Sequence, residues 1–259
     1  MAVYDISGNV ISGGGDASVF IPDVSTNQYD KICRSINHRG WRGDGAVENS
    51  LDAFRASKAH GFYYAETDVR YTSDGIAILY HDDYINGTYV NNMTYAQVLA
   101  AVPTLAKFDD FIALCRNIGL HPYIEFKGTH TQEQVKALVD VVYSYQMQKK
   151  VTWFGGNVNV SKVKTLDPNA RLGILSNTIT AANISDAQAL KLSTNEVFLD
   201  TWISNLTNEI LTAVKTANIP LELYTFTQNT SEITSMDPYI TGFTSDTLIA
   251  GKVLYEANI

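Results

Sequence analysis

Eight short β-rich runs, at residues 31–38, 63–69, 121–127, 150–154, 171–175, 196–200, 221–226 and 240–244, alternate along this 259-residue chain with stretches of helical periodicity. That alternation constrains the fold more than any other feature, because strands separated by helices build an α/β architecture around a parallel sheet. A ninth run, 76–81, is joined to 64–70 by Thr72-Ser73-Asp74-Gly75, a short turn with Gly where positive φ is wanted, and reads as the return arm of a hairpin. Eight strands in about 250 residues is the count of a closed (β/α)8 TIM barrel, and a doubly wound sheet is the alternative that the same alternation allows. Phe108, Phe111, Ile112 and Cys115, and again Val135, Leu138, Val139 and Val142, repeat at i, i+3, i+4, i+7, so each set predicts one buried helical face. Thr131 with Gln134 and Ser185 with Gln188 fit capping boxes, while Gly61 and Gly119 fit helix C-termini. Residues 1–30 contain Gly13-Gly14-Gly15 and many Ser, Asp and Asn, so they are expected to form an extension or linker ahead of a barrel over 31–259.

Composition narrows the partners. With 19 Lys and Arg against 27 Asp and Glu, the formal charge is −8, which repels nucleic acid and anionic membrane over most of the surface. No stretch reaches the roughly 20 apolar residues that span a bilayer, and the first residues lack a basic segment followed by an apolar one. The location of the protein is left open on these grounds, with extracellular, virion-associated and cytoplasmic settings all compatible. Cys33 and Cys115 lie in apolar stretches and read as small core residues.

Barrel enzymes carry their working groups at the C-terminal ends of strands, and here those ends hold an unusual set. The first ends in Asn37-His38-Arg39-Gly40, the second carries Glu66-Thr67-Asp68, the hairpin returns to His81-Asp82-Asp83, and the next barrel strand ends in Glu125-Phe126-Lys127. Residues i and i+2 of a strand share a face, so Glu66 pairs with Asp68 and Glu125 with Lys127 on the inward side. Folding the hairpin brings His81 back to the level of Asp68. Three carboxylates in one cavity repel one another unless a cation neutralises them, and hard oxygen donors suit Mg2+ or Ca2+. Glu66, Asp68 and Glu125 are therefore expected to hold a divalent metal. Arg39 and Lys127 face the space beside it, where a phosphate fits. His38 and His81 can then divide the proton transfers as general base and general acid, roles for which the imidazole side chain is suited. Taken singly, each string has an ordinary reading, as a core histidine, a solvated strand face or a surface ion pair; it is the repetition of one register on three strands that points to a site.

These residues resemble the glycerophosphodiester phosphodiesterase family, which shares a barrel with phospholipase C-like phosphodiesterases. The resemblance runs through His38-Arg39-Gly40, Glu48-Asn49-Ser50, Ala53-Phe54, Gly61, Glu66-x-Asp68-Val69, Thr72-x-Asp74-Gly75, His81-Asp82 and Glu125-x-Lys127. It implies a metal at Glu66, Asp68 and Glu125, acid/base roles at His38 and His81, and hydrolysis of glycerophosphodiesters to glycerol 3-phosphate and an alcohol. A cyclic phosphate formed by the neighbouring glycerol hydroxyl is the route usually proposed for it. Beyond about residue 130 the pattern departs. Where the family commonly has Trp-Thr-Val-Asn, this chain has Tyr224-Thr225-Phe226-Thr227, and where it has Thr-Asp, this chain has Thr244-Ser245-Asp246. Tyr224 is expected to line the substrate pocket. Asp82 is a candidate orienter of nearby groups, Glu48 and Asn49 are expected to hold the first loop, and His60, His121 and His130 to be structural or solvated. Trp153 and Trp202 fit pocket mouth and barrel packing equally.

The substrate class expected is a soluble diester or a teichoic-type glycerol-phosphate polymer, since the loops are rich in Asn, Thr and Gly. Two other readings share the residues: a lyase acting on choline-type phospholipids, and a cell-surface or phage-tail module that binds glycerophosphate polymers without turnover. A pure binder has use for the cation but none for two histidines.

Overall fold

The computed structural model describes residues 34–226 and 239–246, together with short strands at Val3–Tyr4 and Val10–Ser12 that pair antiparallel. The expected extension 1–30 otherwise lies outside the described residues, as do Cys33 and Thr227. Eight barrel strands follow: β1 (Arg34–Asn37), β2 (Tyr64–Tyr71), β3 (His121–Phe126), β4 (Thr152–Gly155), β5 (Arg171–Leu175), β6 (Val197–Trp202), β7 (Leu221–Phe226) and β8 (Ile240–Ser245). Each runs parallel to the next, and β8 closes on β1 from Gly242↔Arg34 to Ser245↔Asn37. The eight-strand expectation and the hairpin both hold, since Ala77–Leu79 lies antiparallel on β2 with Val69 opposite Leu79. No helix of the described residues is long and apolar enough to cross a membrane.

Helices α1 (Leu51–Ala59), α2 (Tyr95–Ala101), α3 (Phe108–Ile118), α4 (Gln132–Ser144), α5 (Asn157–Leu166), α6 (Ala181–Leu190) and α7 (Asn208–Ala217) fall between the strands. The two predicted stripes are the buried faces of α3 and α4, and Phe111 of α3 meets Phe54 of α1 with ring centroids 4.4 Å apart. Each such buried aliphatic or aromatic side chain contributes about 1.5–3 kcal/mol of transfer free energy, which holds the helices on the sheet. Thr131 and Gln134 cap α4 reciprocally as expected. The Ser185–Gln188 expectation is corrected: both residues lie inside α6, and the capping pair is Thr180 with Asn183. An N-cap needs extended backbone, which Thr180 has at φ −115° and ψ 167°, whereas a residue already wound into the helix cannot serve.

Inside the barrel the inward side chains form layers. Arg34, Arg171, Glu196 and Glu222 join at the N-terminal end through charge-paired hydrogen bonds. Ile36, Tyr64, Tyr123, Phe154 and Phe198 fill the middle. Gly173 makes room for Phe198, whose ring would lie 2.2 Å from a Cβ at that position. This apolar plug separates the basal charges from a second charged layer at the C-terminal end, where the strand ends converge.

Candidate active site

The second layer is built on β1, β2 and β3. On β2 the inward register continues from Tyr64 through Glu66 and Asp68, and Asp68 lies opposite Glu125 of β3 in the parallel ladder. Glu66, Asp68 and Glu125 each offer a carboxylate oxygen, and these lie within 4.8 Å of one another. Glu66 and Asp68 are 2% and 1% exposed, and Oε1 of Glu66 and Oδ1 of Asp68 are buried without a hydrogen-bond partner. Burial, followed by the charges of Asp68 and Glu125, pushes the Glu66 carboxyl well up, and burial with Asp68 raises Glu125. Three all-oxygen donors with orphaned atoms at this spacing fit a hard divalent cation, which would relieve that repulsion.

The first loop is shaped by backbone geometry. Arg39 and Gly40 both take positive φ, at 56° and 82°, and a Cβ on Gly40 would meet the Ala53 Cβ at 2.7 Å. Only glycine lets the loop come that close to α1, which is why Gly must follow Arg39 here. The turn aims the Arg39 N–H at Glu66 Oε2, 3.0 Å away, and its guanidinium at Glu48 Oε1, 3.0 Å, and Asp68 Oδ2, 3.4 Å. Lys127 Nζ sits 2.6 Å from Glu125 Oε1 and 3.4 Å from Asp68 Oδ1. Burial by itself would lower the Lys127 ammonium, but Glu125 and Asp68 outweigh it and hold the group up, so it stays cationic. Glu48 and Asn49 do hold this loop. Asn49 donates to Asp68 Oδ2 at 2.8 Å while its own Oδ1 accepts from Thr67 Oγ1 at 2.8 Å, which fixes the rotamer of Asp68.

Both expected histidines reach the rim, each with one ring nitrogen tied to a carboxylate. His38 Nδ1 lies 2.9 Å from Asp246 Oδ1, and His81 Nδ1 lies 2.7 Å from Asp82 Oδ1. In each case the pairing at Nδ1 leaves Nε2 as the ring nitrogen available for proton transfer. Asp82 thus orients His81. Asp246, at the end of β8, was not singled out from the sequence, although it belongs to the Thr244-Ser245-Asp246 run; its link to His38 spans nearly the whole chain and only barrel closure creates it. Arg42, which donates to Asp246 Oδ1 and to Glu48 Oε2, and Arg70 were also missed. A cleft of about 430 Å3 is lined by His81, Glu125 and Lys127 among others.

The remaining candidates sort by burial. Tyr224 stands inward on β7 one step above Glu222, and its hydroxyl donates to Asn177 Oδ1 at 2.8 Å. Burial, then Asp200 and Glu125, raise its phenol, so it is a neutral donor near the carboxylate layer. Trp153 is barrel packing, 2% exposed and stacked on Phe126 at 5.5 Å, whereas Trp202 is 49% exposed at the end of β6. His60 caps α1 and meets Asp44 Oδ2 at 2.7 Å. His121 lies edge-on to Tyr64. His130 is buried between Tyr71 and Phe126, and burial, with the charges of Lys162 and Arg70, lowers it to about 4, so it is neutral and structural. Asp200 is a buried carboxylate that sequence reasoning passed over; burial together with Glu222 and Glu125 pushes it well up.

Residues 38–248 match the profile of the glycerophosphoryl diester phosphodiesterase family. The chain is 29% identical over 122 residues to glycerophosphodiester phosphodiesterase 1 of Homo sapiens, a match covering 40% of this chain and 36% of that protein. It is 47% identical over 48 residues to the probable glycerophosphodiester phosphodiesterase 2 of Mycobacterium tuberculosis, covering 18% of each. These sequence matches thus span well under two thirds of the relatives' length. Its fold is that of a phosphodiesterase from Oleispira antarctica solved in complex with the product sn-glycerol-3-phosphate, with a TM-score of 0.73 over 88% of this chain and 98% of the other at 18% identity.

Proposed function

Because the chain belongs to the glycerophosphoryl diester phosphodiesterase family, we propose that it cleaves small glycerophosphodiesters to glycerol 3-phosphate and an alcohol, with a divalent metal bound at Glu66, Asp68 and Glu125. The observation that carries the reading is the pair of imidazoles, His38 and His81, each held at Nδ1 by a carboxylate beside one cluster of three carboxylates and two cations. That the Oleispira antarctica enzyme holds sn-glycerol-3-phosphate supports the choice of substrate class.

When bound, Mg2+ or Ca2+ would supply Lewis-acid polarisation of a phosphoryl oxygen. The chain's own residues do the rest. Arg39 offers a donor fork and Lys127 a point charge to the other phosphate oxygens, and both strengthen their hold as charge gathers there in the transition state. His38 Nε2 takes the proton of the glycerol hydroxyl next to the phosphate; the oxygen so freed forms a bond to phosphorus as the bond to the leaving alcohol breaks. His81 Nε2 gives that alcohol its proton. The resulting cyclic phosphate is opened by water with the two imidazoles in reversed roles. An internal nucleophile is favoured because a tethered hydroxyl has a high effective concentration and needs no ordered water.

The test is release of glycerol 3-phosphate from glycerophosphocholine, with and without a chelator and after return of Mg2+ or Ca2+. Turnover should vanish on chelation and return with the ion, and full turnover in excess chelator would overturn the metal assignment. Replacing the glycerol C2 hydroxyl by hydrogen should all but stop the reaction. Equal rates on both substrates, with no cyclic species by phosphorus NMR, would mean that water attacks directly.

A further inference from the structure

We propose that Arg70 is the positioning residue of His81, an inference that rests on the phosphodiesterase reading above. Arg70 continues the inward register of β2 one step beyond Asp68 and is only 2% exposed. Two of its three guanidinium nitrogens, Nε and Nη2, donate to the segment that carries His81, while Nη1 is buried without a hydrogen-bond partner. Nε donates to the carbonyls of Tyr80 at 3.1 Å and His81 at 3.2 Å, and Nη2 donates to the His81 carbonyl at 2.6 Å and to Asp83 Oδ1 at 2.6 Å.

The segment needs that anchor. The hairpin strand ends at Leu79, so His81 lies past the last rung of its ladder, and the neighbouring backbone ties are Tyr80 N to Asp68 O at 2.9 Å and Val90 N to Asp83 O at 2.9 Å. The side chains of His81, Asp82 and Asp83 are 31%, 69% and 61% exposed, so packing does little to hold them. A rigid planar fork rooted two residues from Asp68 therefore sets the distance between the imidazole and the carboxylate cluster. Arg70 and His81 line one cleft with Glu125 and Lys127. Lysine has a single nitrogen and cannot reach both carbonyls and the carboxylate in this geometry.

The experiment compares Arg70→Met, Arg70→Lys, Asp83→Asn, His81→Ala and the double variant Arg70→Met/His81→Ala. Arg70→Met should lower kcat about 10–100-fold, the cost of a misplaced catalytic group, with KM and metal affinity within about twofold of wild type. Arg70→Lys should recover part of the loss, and Asp83→Asn should lower kcat several-fold. Because Arg70 acts through His81, the double variant should be no slower than His81→Ala alone. Wild-type kcat in Arg70→Met, or the same fold loss on top of His81→Ala, would overturn the proposal. If Arg70→Met fails to fold, undiminished kcat in both Arg70→Lys and Asp83→Asn would overturn it instead. A second readout does not depend on turnover: the His81 ring signals in NMR should broaden or split in the Arg70 variants while those of His38 stay put. Unchanged His81 signals would refute the positioning role, whereas a wild type inactive on every diester would refute only the phosphodiesterase reading.

Discussion

At the N-terminal end of the barrel interior, Arg171 donates to Glu196 Oε1 at 2.9 Å and Glu222 Oε1 at 2.6 Å, while Arg34 grips both oxygens of Glu196 at 3.1 Å. At the C-terminal end, Glu66, Asp68 and Glu125 face Arg39 and Lys127, and Arg39 is shared with Glu48. Two guanidiniums balance two carboxylates below the aromatic plug; above it the carboxylates are in excess. The consequence is opposite electrostatics from the same residue types. Burial alone would raise Glu196, but Arg171 and Arg34 outweigh it and hold the carboxyl down at about 2. Glu66 and Glu125 go up, because burial and the neighbouring carboxylates outweigh Arg39 and Lys127. Removing one partner from a balanced buried cluster is strongly destabilising, whereas an unbalanced one costs stability as it stands, a cost that a bound cation would offset.

Four measurements can break or sharpen this contrast. His38→Ala or His81→Ala should lower kcat/KM 10²–10⁴-fold while leaving thermal stability near wild type, since both rings sit at the rim; a rate near wild type for His81→Ala would remove that ring from the chemistry. Arg171→Met should do the reverse. It leaves the buried Glu222 carboxylate without its closest partner and should cost about 3–5 kcal/mol in urea unfolding, with kcat of the folded protein within about twofold; a hundredfold loss of kcat would mean that the two ends are coupled through the plug.

Asp246→Asn should lower kcat/KM about tenfold, by loosening the orientation of His38, with no change in metal affinity; an unchanged rate would show that the Asp246 contact is dispensable. The smallest effect is a stability gain. Glu66→Gln should stabilise the metal-free protein at pH 8, because burial and the neighbouring carboxylates raise the Glu66 carboxyl and so weigh against its ionised form. The sign follows from proton uptake: between the unfolded pKa near 4.5 and the raised folded value, the native state holds more protons. The Glu66 penalty therefore fades as pH falls, and the gain from Glu66→Gln should shrink with it. Glu196 behaves oppositely, contributing stability above pH 4.5 that is lost as pH falls toward 2. Stability curves of wild type and variant that stay parallel from pH 8 to pH 5 would contradict the assignment of the upper cluster.

Most of the site was legible because strands impose a period of two. Glu66 and Asp68, Glu125 and Lys127 could be put on one face from spacing alone, and the Thr72-Ser73-Asp74-Gly75 turn predicted that His81 comes back to Asp68, where Tyr80 N now donates to Asp68 O. The capping pair of α6 was misread because Ser185–Gln188 has the right spacing and nothing local says that the helix has already begun. Asp246 and Arg42 were passed over for a related reason, since an aspartate or arginine outside the strands carries no periodic signal and its importance lies in whom it touches. Arg70 shares the period-two register of Glu66 and Asp68 on β2, but its partners Tyr80, His81 and Asp83 are fixed only by the fold.

By itself, the sequence determined the strand and helix alternation, the inward register of the three site strands and the residue types whose chemistry suits a cation and a phosphate, since all of these follow from local periodicity and side-chain chemistry. Tertiary structure alone decided which charges are balanced. Closing β8 onto β1 brings Asp246 to His38, and the layering of the interior matches Arg34 and Arg171 to Glu196 and Glu222 while leaving Glu66 and Asp68 each with a buried oxygen that accepts no hydrogen bond. Coulomb energy depends on distance and burial, not on separation along the chain, so the difference between a structural charge cluster and a candidate metal site exists only once the barrel is closed.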